Sequence, residues 1–488
     1  MTRRVDYPAS KRDNGSILPL VLVFSVVFAM VVIALATYAS ATLRLGQVAE
    51  RSSDRLASAS GAMDSALEDI QRGVGPCLLF GQDYIVTDVV NEMSSKVDCT
   101  WVGGRFNVGD LFAVVMTGAG GATGPLLTVT NGGESDNAQK VFEGPVYMAK
   151  TPGPSTMNFS ATLAIKNADL SYSSTDCGST TPTTPSQLTI TPVGYGTQCY
   201  QEPWDVPEMF GAFLPPEPDI DATSFPIITT TTPPAPDELG CTVWSPGQYN
   251  SAPQLANQSY NYFRSGQYYF KNIGNWEISS AFTLFGYPGV TGPSIDGFKP
   301  SDTFANNPCR KAWANDFDIT GATLYLGGNT KLTVQQNSTV EISGRVTSAG
   351  QNIAVQALET KGIPSNIRGD ERIITTGPGG NKQLSIQGLL WAPYAALEFD
   401  LISNDAVAAL TAGAVVSEIS AGASANANNF LIRVATKPAN KVLHLTATAD
   451  SANNQGSTSV RSVVTVQRDK GATSYALNSR RVVGLTPE

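Results

Sequence analysis

The feature that most constrains this chain is a long stretch near its start that lacks charge. Residues 15–43 contain no Asp, Glu, Lys or Arg, and residues 17–36 are almost entirely apolar. A helix of about 20 such residues spans the hydrocarbon core of a bilayer, which is about 30 Å thick. The sequence therefore predicts a transmembrane helix over residues 17–41, preceded by a leader over residues 1–16.

The leader carries the signal for orientation. Its basic residues outnumber its acidic residues, and positive charge favours the cytoplasmic side of a membrane. We therefore expect a single-pass protein with a cytoplasmic N-terminus and with its bulk extracytoplasmic, at the cell surface. A cleaved signal peptide ending in Ala-Ser-Ala at residues 39–41 is the alternative, although its apolar core is usually only about 7–15 residues long.

The helical pattern continues beyond the span as a stalk over residues 42–76. Apolar residues recur every three or four positions until Gly-Val-Gly-Pro at residues 73–76, which predicts the end of the helix. A break near Gly46 is the alternative, because an interior glycine costs about 1 kcal/mol. The apolar stripe packs either beside helices of other subunits or on this chain's own residues 77–176; it consists of Leu45, Val48, Leu56, Met63 and Ile70.

The segment Gly-Ser-Ile-Leu-Pro-Leu-Val-Leu at residues 15–22 follows the basic leader and opens the apolar helix. Over about 60 residues this N-terminus resembles type IV pilin-like proteins, and most closely large minor pilins and pilus-assembly proteins. The resemblance implies cleavage by a prepilin peptidase between Gly15 and Ser16, and packing of the helix against other pilin-like subunits. Leu20 departs from the family, because major pilins carry a glutamate at this fifth mature position.

The number of cysteines is consistent with an exported protein. An even number of cysteines in an exported chain predicts disulfides, and six cysteines allow 15 pairings. Their spacing favours neighbours in the sequence, namely Cys77–Cys99, Cys177–Cys199 and Cys241–Cys309. Six free buried thiols are the alternative. We expect no metal and no cofactor, because the chain has neither a Cys-x-x-Cys motif nor a Cys-His pair.

The exported part predicts a mainly β fold. Short apolar runs separated by Gly and Asn indicate a first β domain over residues 77–177. A Pro/Thr-rich linker covers residues 178–240. Residues 436–488 contain three β-prone runs and predict a C-terminal antiparallel meander. His444 lies in the first of these runs and is expected to be structural, since no second ligand accompanies it.

Residues 241–435 predict a β-solenoid. Leu324, Leu332 and Val340 follow each other in steps of eight, and glycine-led strands recur at Gly344, Gly388 and Gly413. Each turn of a solenoid buries its inward column on the next turn. The region resembles β-helical domains of bacterial envelope proteins and, more loosely, bactofilin-like repeats. An antiparallel sandwich is the alternative, because short strands permit it too.

Composition argues against several classes of function. A net charge of −9 and a pI near 4.9 exclude a basic nucleic-acid footprint. With a single histidine, His-based catalysis and zinc sites have almost no support. Catalysis by carboxylates would use Asp316 with Asp318, or more weakly Asp370 with Glu371, aided by Arg345 or Lys361. Such acids beside turns are more often turn formers.

We therefore expect a protein that is not an enzyme: a membrane-anchored envelope or surface protein of minor-pilin or pilus-assembly type. Its expected partners are the lipid bilayer, other pilin-like subunits and cell-wall or surface polysaccharide, with no nucleic acid. The alternatives are an envelope-tethered β-helix enzyme acting on carbohydrate, and a module for cell-wall binding or adhesion. A sugar-stacking platform would use aromatic residues that are more often core: Tyr262, Tyr268, Tyr269, Trp276 and Trp313.

Overall fold

The structure is a computed structural model, and it describes most of the chain beyond the leader. The described residues are 17–72, 77, 84–90, 93–102, 111–119, 124–130, 140–178, 181–201, 225–229, 231–286, 307–316, 318, 320–346, 352–358, 372–376, 382–400, 407–422, 429–433, 439–450, 457–469 and 472–485. The predicted processing site at Gly15 and Ser16 lies outside these residues, as do Lys361, Asp370 and Glu371.

A single helix, α1 (Ile17–Arg72), contains both the predicted span and most of the predicted stalk. Its 56 residues make a rod about 84 Å long. Pro19 lies in the first turn, where its missing N–H removes no helical hydrogen bond. The helix runs through Gly46 and Gly61, and a Cβ at either position would meet nothing within 4 Å. The prediction of one continuous helix is confirmed, and the break near Gly46 is wrong.

Strands from before and after the solenoid region form an antiparallel sheet, which we call the head sheet. Among the described residues its order is β1-β2-β32-β33-β34. These strands are β1 (Tyr84–Val90), β2 (Met93–Val102), β32 (Ala439–Asp450), β33 (Ser457–Asp469) and β34 (Ala472–Leu485). The three C-terminal strands β32, β33 and β34 pair antiparallel in sequence order, but they do not form a separate unit, because β32 also pairs with β2. The C-terminal strands extend a sheet that begins directly after α1.

One face of the head sheet packs on α1. Residues alternate along a strand between the two faces, so Val97 and its register partner Ala447 are both buried in the cluster that contains Met63 of α1. His444 falls on the opposite face and is exposed. The described strands that lie between β2 and β32 in the sequence are thus inserted into the head sheet.

The insertion consists of three parallel sheets. In the described residues, sheet 1 contains β3 (Val114–Met116), β6 (Val146–Met148), β9 (Leu170–Ser174), β11 (Thr197–Gln201), β12 (Ile227–Ile228), β14 (Gly247–Tyr249), β16 (Gly266–Lys271), β19 (Ala322–Gly327), β23 (Asn352–Leu358), β26 (Leu389–Ala392) and β29 (Ala414–Val416), with β22 (Arg345–Val346) antiparallel to β23. Sheet 2 contains β4 (Leu127–Val129), β7 (Met157–Phe159), β17 (Asn275–Ile278), β20 (Lys331–Val334), β24 (Arg372–Thr376), β27 (Ala396–Asp400) and β30 (Ile419–Gly422). Sheet 3 contains β5 (Lys140–Glu143), β8 (Leu163–Lys166), β10 (Leu188–Thr191), β13 (Cys241–Trp244), β15 (Tyr260–Phe263), β18 (Phe282–Phe285), β21 (Ser338–Ser343), β25 (Lys382–Gln387), β28 (Val407–Leu410) and β31 (Asn429–Arg433).

The chain visits the three sheets in turn. Strands β19, β20 and β21 lie in sheets 1, 2 and 3, and the next turn, β23, β24 and β25, repeats this order. Equivalent strands of these two turns pair in parallel, as β19 does with β23 through Leu324 and Val355. These parallel sheets fit a solenoid, in which each turn buries its inward side chains on its neighbours. The alternative of an antiparallel sandwich is wrong, because its strand neighbours would be antiparallel.

The turns are not stacked in sequence order. The earliest strands, β3, β4 and β5, pair with the last ones, β29, β30 and β31, and we call this contact the joint. From the joint, β6 to β11 extend the stack one way and β26 back to β12 extend it the other way. Strands β11 and β12 therefore lie at opposite ends of sheet 1, ten strand steps or about 48 Å apart. Strands β10 and β11 fall within the stretch expected to be a linker, yet they extend sheets 3 and 1.

The inward side chains change character along the stack. Near β13 the core is aromatic, with Phe263 stacked between Trp244 at 5.4 Å and Phe285 at 4.3 Å. The same inward column continues through Ile342, Ile386, Leu410 and Ile432, which are all fully buried. Aromatic rings thus fill the core near β13, and aliphatic side chains follow up to a second aromatic group formed by Phe142, Phe399 and Phe430.

Three disulfides tie down the ends of this architecture. Cys77–Cys99 joins the residues that follow α1 to β2 of the head sheet. Cys177–Cys199 links the residues after β9 to β11, the terminal strand of sheet 1. Cys241–Cys309 links β13, the terminal strand of sheet 3, to the start of a short helix, α2 (Arg310–Ala314). These are the pairs that the spacing favours, and one bridge lies near each end of the solenoid.

Candidate interaction surfaces

The first candidate surface is the N-terminal part of α1. Its large apolar side chains are exposed from Ile17 to Val48. Its most apolar window has a mean hydropathy of 3.0 and no buried residue, so by length and composition the helix could cross a membrane. Beyond the expected span at residue 41, Leu45 is 68% exposed and Val48 is 40% exposed. An apolar surface therefore continues past the expected membrane boundary.

The C-terminal part of α1 packs on the head sheet, and we call this part of the helix together with the sheet the head. Met63 and Ile70 are fully buried, and small buried residues on the same face of the helix let it approach the sheet closely: Ala59, Ala62 and Ala66. Ser58 shares a hydrogen bond of 2.6 Å with Ser95 in β2. Arg480 in β34 forms an ion pair of 2.6 Å with Asp64.

The apolar stripe is thus divided between two environments. Met63 and Ile70 pack on the chain's own sheet, Leu56 is partly buried at the edge of that cluster, and Leu45 and Val48 are exposed. Intramolecular packing, one of the two expected alternatives, therefore applies to the second half of the stripe. The partner surface is the head sheet, to which residues from 439 onwards contribute as well as β2.

The second candidate is the pair of acids, Asp316 and Asp318. Oδ2 of Asp316 accepts hydrogen bonds from the Tyr262 hydroxyl at 2.6 Å and from the Ser265 backbone N–H at 3.0 Å. Its other oxygen accepts from the backbone N–H of Asp318 at 3.3 Å. Asp316 therefore holds the corner between β15 and the chain after α2. A carboxylate with these contacts matches a turn former.

Asp318 is engaged differently. Its Oδ2 forms an ion pair of 2.8 Å with Arg345, and its Oδ1 accepts from the backbone N–H of Thr320 at 2.9 Å. Burial alone would raise the pKa of Asp318, but the hydrogen bonds from Thr320 and Arg345 outweigh it and lower the pKa. Arg345 is thus the structural partner of Asp318. No contact of the described residues directs both carboxylates to one common point.

The aromatic side chains considered for sugar stacking lie inside the protein. Tyr268 and Trp276 belong to the inner core, and Tyr262 and Trp313 lie in the cluster that α2 forms on sheet 3. Tyr269 packs with Phe225 on the outer side of sheet 1. Burial, reinforced by the neighbouring Asp316, raises the pKa of Tyr262. All five are buried, so they are core residues and not a platform.

The third candidate is the outer side of sheet 2. Many outward side chains of the other two sheets are buried, among them Tyr325 and Trp391 in sheet 1 and Leu284 and Ala409 in sheet 3. In sheet 2, register partners form a polar column that is exposed or partly exposed except at Thr333; it consists of Glu277, Thr333, Thr375, Glu398, Ser420, Thr128 and Asn158. Parallel strands place these side chains about 4.8 Å apart. A regular row of oxygen-bearing side chains results.

Neither metal-site chemistry nor known relatives add a further site. In the part of the chain that the structure describes, no group of three or more His, Cys, Asp or Glu side chains could hold a metal ion. No known protein family, curated protein or solved structure matches this chain.

Proposed function

We propose that the protein is a non-enzymatic, membrane-anchored envelope protein of minor-pilin or pilus-assembly type. The observation that carries the proposal is the division of α1. Residues from Met63 to Ile70 are core of the head, whereas the residues up to Val48 expose apolar side chains over more length than a bilayer requires. Exposed apolar surface beyond the membrane marks a site for another protein.

In this proposal residues 17–41 lie in the bilayer with the N-terminus in the cytoplasm, and cleavage occurs between Gly15 and Ser16. The head and solenoid lie outside the cytoplasm, which agrees with three disulfides, since these persist in oxidising compartments. Residues 42–54 then pack beside the helices of other pilin-like subunits. The solenoid is the part displayed beyond the assembly.

The proposal is tested by placing a charge in the exposed half of the stripe. Leu45→Asp should leave membrane insertion and the head intact, because Leu45 follows the expected span and lies outside the buried cluster. It should abolish co-purification with pilus components, since a buried unpaired charge costs several kcal/mol. Gln47→Asp is the matched control, an exposed position off the stripe. Co-purification of Leu45→Asp at the wild-type level would exclude the proposed packing.

Processing is tested separately by N-terminal sequencing of the mature protein. A start at Ser16 supports pilin-type cleavage, and a start at Thr42 supports a cleaved signal peptide. An intact leader would indicate a simple anchor without pilin processing.

A second candidate is adhesion to cell-wall or surface polysaccharide. The observation that favours it is the open polar column of sheet 2, since hydroxyls, amides and carboxylates in a regular row can hydrogen-bond the hydroxyls of an extended glycan. Paired substitutions Thr375→Val and Ser420→Ala should weaken binding to purified envelope polysaccharide while the fold is retained. Unchanged binding would remove this surface from consideration.

A further inference from the structure

The terminal turns of the solenoid differ from most others on the side of sheet 2. At one end the chain passes from β9 in sheet 1 to β10 in sheet 3, and at the other end it passes from β12 in sheet 1 to β13 in sheet 3. Neither passage contains a described strand of sheet 2. Its place is taken by chain rich in threonine and proline, and we call the two stretches the end segments: residues 181–187 at the first end, and residues 229 and 231–236 at the second end.

Both end segments are attached to the neighbouring turn without joining a strand ladder. The N–H of Thr183 donates a hydrogen bond of 3.1 Å to the carbonyl of Pro152, and the carbonyl of Thr231 accepts one of 2.9 Å from the N–H of Gln254. Proline has no N–H and cannot donate to a sheet. The end segments therefore place irregular, proline-containing chain at opposite ends of the stack, whose terminal strands β11 and β12 are about 48 Å apart.

The end segments carry accessible hydroxyls. Threonines deeper in the solenoid are enclosed by its turns, and Thr283 and Thr376 are fully buried. Two threonines of each end segment are instead exposed to solvent: Thr183 and Thr184 at the first end, and Thr229 and Thr232 at the second end.

Threonine in this setting is suited to modification. Exported chain that is rich in serine, threonine and proline is typical of segments that carry O-linked sugars. A transferase binds its substrate in a cleft, so the hydroxyl must be able to enter that cleft. A threonine in the middle of a sheet is held by strands on both sides, whereas the exposed threonines of the end segments lie outside every described strand.

We propose that both end segments carry sugars O-linked to their exposed threonines, so that glycan covers the two ends of the solenoid. The proposal rests on the export that belongs to the proposed function. In each transfer the threonine Oγ1 forms a bond to the anomeric carbon of a sugar activated on a phosphate carrier. The bond from that carbon to the phosphate oxygen breaks, the phosphate leaves with the electron pair, and the hydroxyl proton passes to a base of the transferase. Nothing is oxidised or reduced.

The position of the sugars would protect the solenoid from self-association. Strands at the end of a sheet present unpaired N–H and C=O groups that can pair with another chain. Strands β10 and β11 lie at one end of the stack, and β12 and β13 lie at the other end. A bulky, soluble glycan beside these strands would keep other chains at a distance.

The test is peptide mapping of the full chain, purified in detergent from the cells that produce it. Peptides that contain the end segments should exceed their sequence mass by whole sugar residues, and electron-transfer fragmentation should locate the excess on threonine. The double variant Thr183→Val with Thr184→Val should lose the sugar of the first end segment and keep that of the second. Thr100 is the matched control, because it is an exposed threonine within strand β2 and should stay unmodified.

Unmodified peptides from both end segments of the wild-type chain would overturn the proposal, and this reading needs no variant. The same digest reports on export. Paired cysteines without sugar would refute the modification alone, whereas six free thiols without sugar would refute export as well. Sugar on Thr100 and not on the end segments would contradict the argument from accessibility. An excess mass that is not carbohydrate, such as a phosphodiester, would refute the class of modification.

Discussion

The strongest consequence of the divided helix is that truncating a side chain should destabilise the isolated protein in the C-terminal half of α1 and should have almost no effect in the N-terminal half. Met63 is fully buried between α1 and the head sheet, so Met63→Ala removes packed atoms and leaves a cavity. Such changes cost about 2–5 kcal/mol. Val48 lies outside every buried cluster of the described residues and is 40% exposed. We expect Val48→Ala to change the free energy of unfolding by less than about 0.5 kcal/mol.

Hydrogen exchange of the full chain in detergent measures both effects locally. A loss of about 3 kcal/mol corresponds to an exchange rate more than a hundredfold faster in the protected amides of β2, β32 and β33. The solenoid strands β19 to β21 should keep their protection in Met63→Ala, since their core is a separate cluster. The division of α1 would be refuted if Val48→Ala loosened the head as much as Met63→Ala, or if Met63→Ala changed nothing.

Three other predictions concern the solenoid. Reductant should increase exchange in β13 and β15 before it affects β21, because Cys241–Cys309 ties a terminal strand whereas β21 has neighbours on both sides; simultaneous loss would mean that the bridge supports the entire stack. Phe263→Ala should cost about 3–5 kcal/mol in urea unfolding, since the ring is fully buried between two others; a cost below about 1 kcal/mol would contradict the aromatic core. Asp318→Asn should cost less than about 1 kcal/mol at pH 7, because the pair with Arg345 is partly exposed. The pKa of Asp318 is lowered, so the stability cost of Asp318→Asn should shrink as the pH falls below 4. A cost that grows at low pH would contradict a stabilising ion pair between Asp318 and Arg345.

Local patterns predicted the elements well because their physical cause is local. The charge-free stretch predicted α1, and alternation at period two predicted the strands around Leu324, Leu332 and Val340. Nearest-neighbour spacing favoured the disulfide pairs that the structure contains. Each of these inferences depends on residues close together in the chain.

The same local patterns did not predict whether an outward-facing side chain is exposed to solvent or buried. Glu341 alternates with Val340 and Ile342, which is the pattern of a solvent-facing acid, yet it is 1% exposed. Asp316 alternates with Asp318 in the same way and is held by Tyr262, more than 50 residues earlier. Alternation states which face of the sheet a side chain occupies. Whether another part of the chain covers that face depends on contacts that no short pattern contains.

The joint shows why the sequence did not predict the order in which the turns are stacked. Val115 and Val415 are register partners although 300 residues separate them. Outside the joint, described strands that pair in parallel belong to successive turns, and successive turns are what an internal repeat can indicate. The joint has a further role, because its outer side chains Val115 and Val415 belong to the same buried cluster as Met63 of α1. The first turn, the last turn and the helix therefore stabilise one another. The inserted solenoid is attached to the head at the joint, where its first and last turns pair.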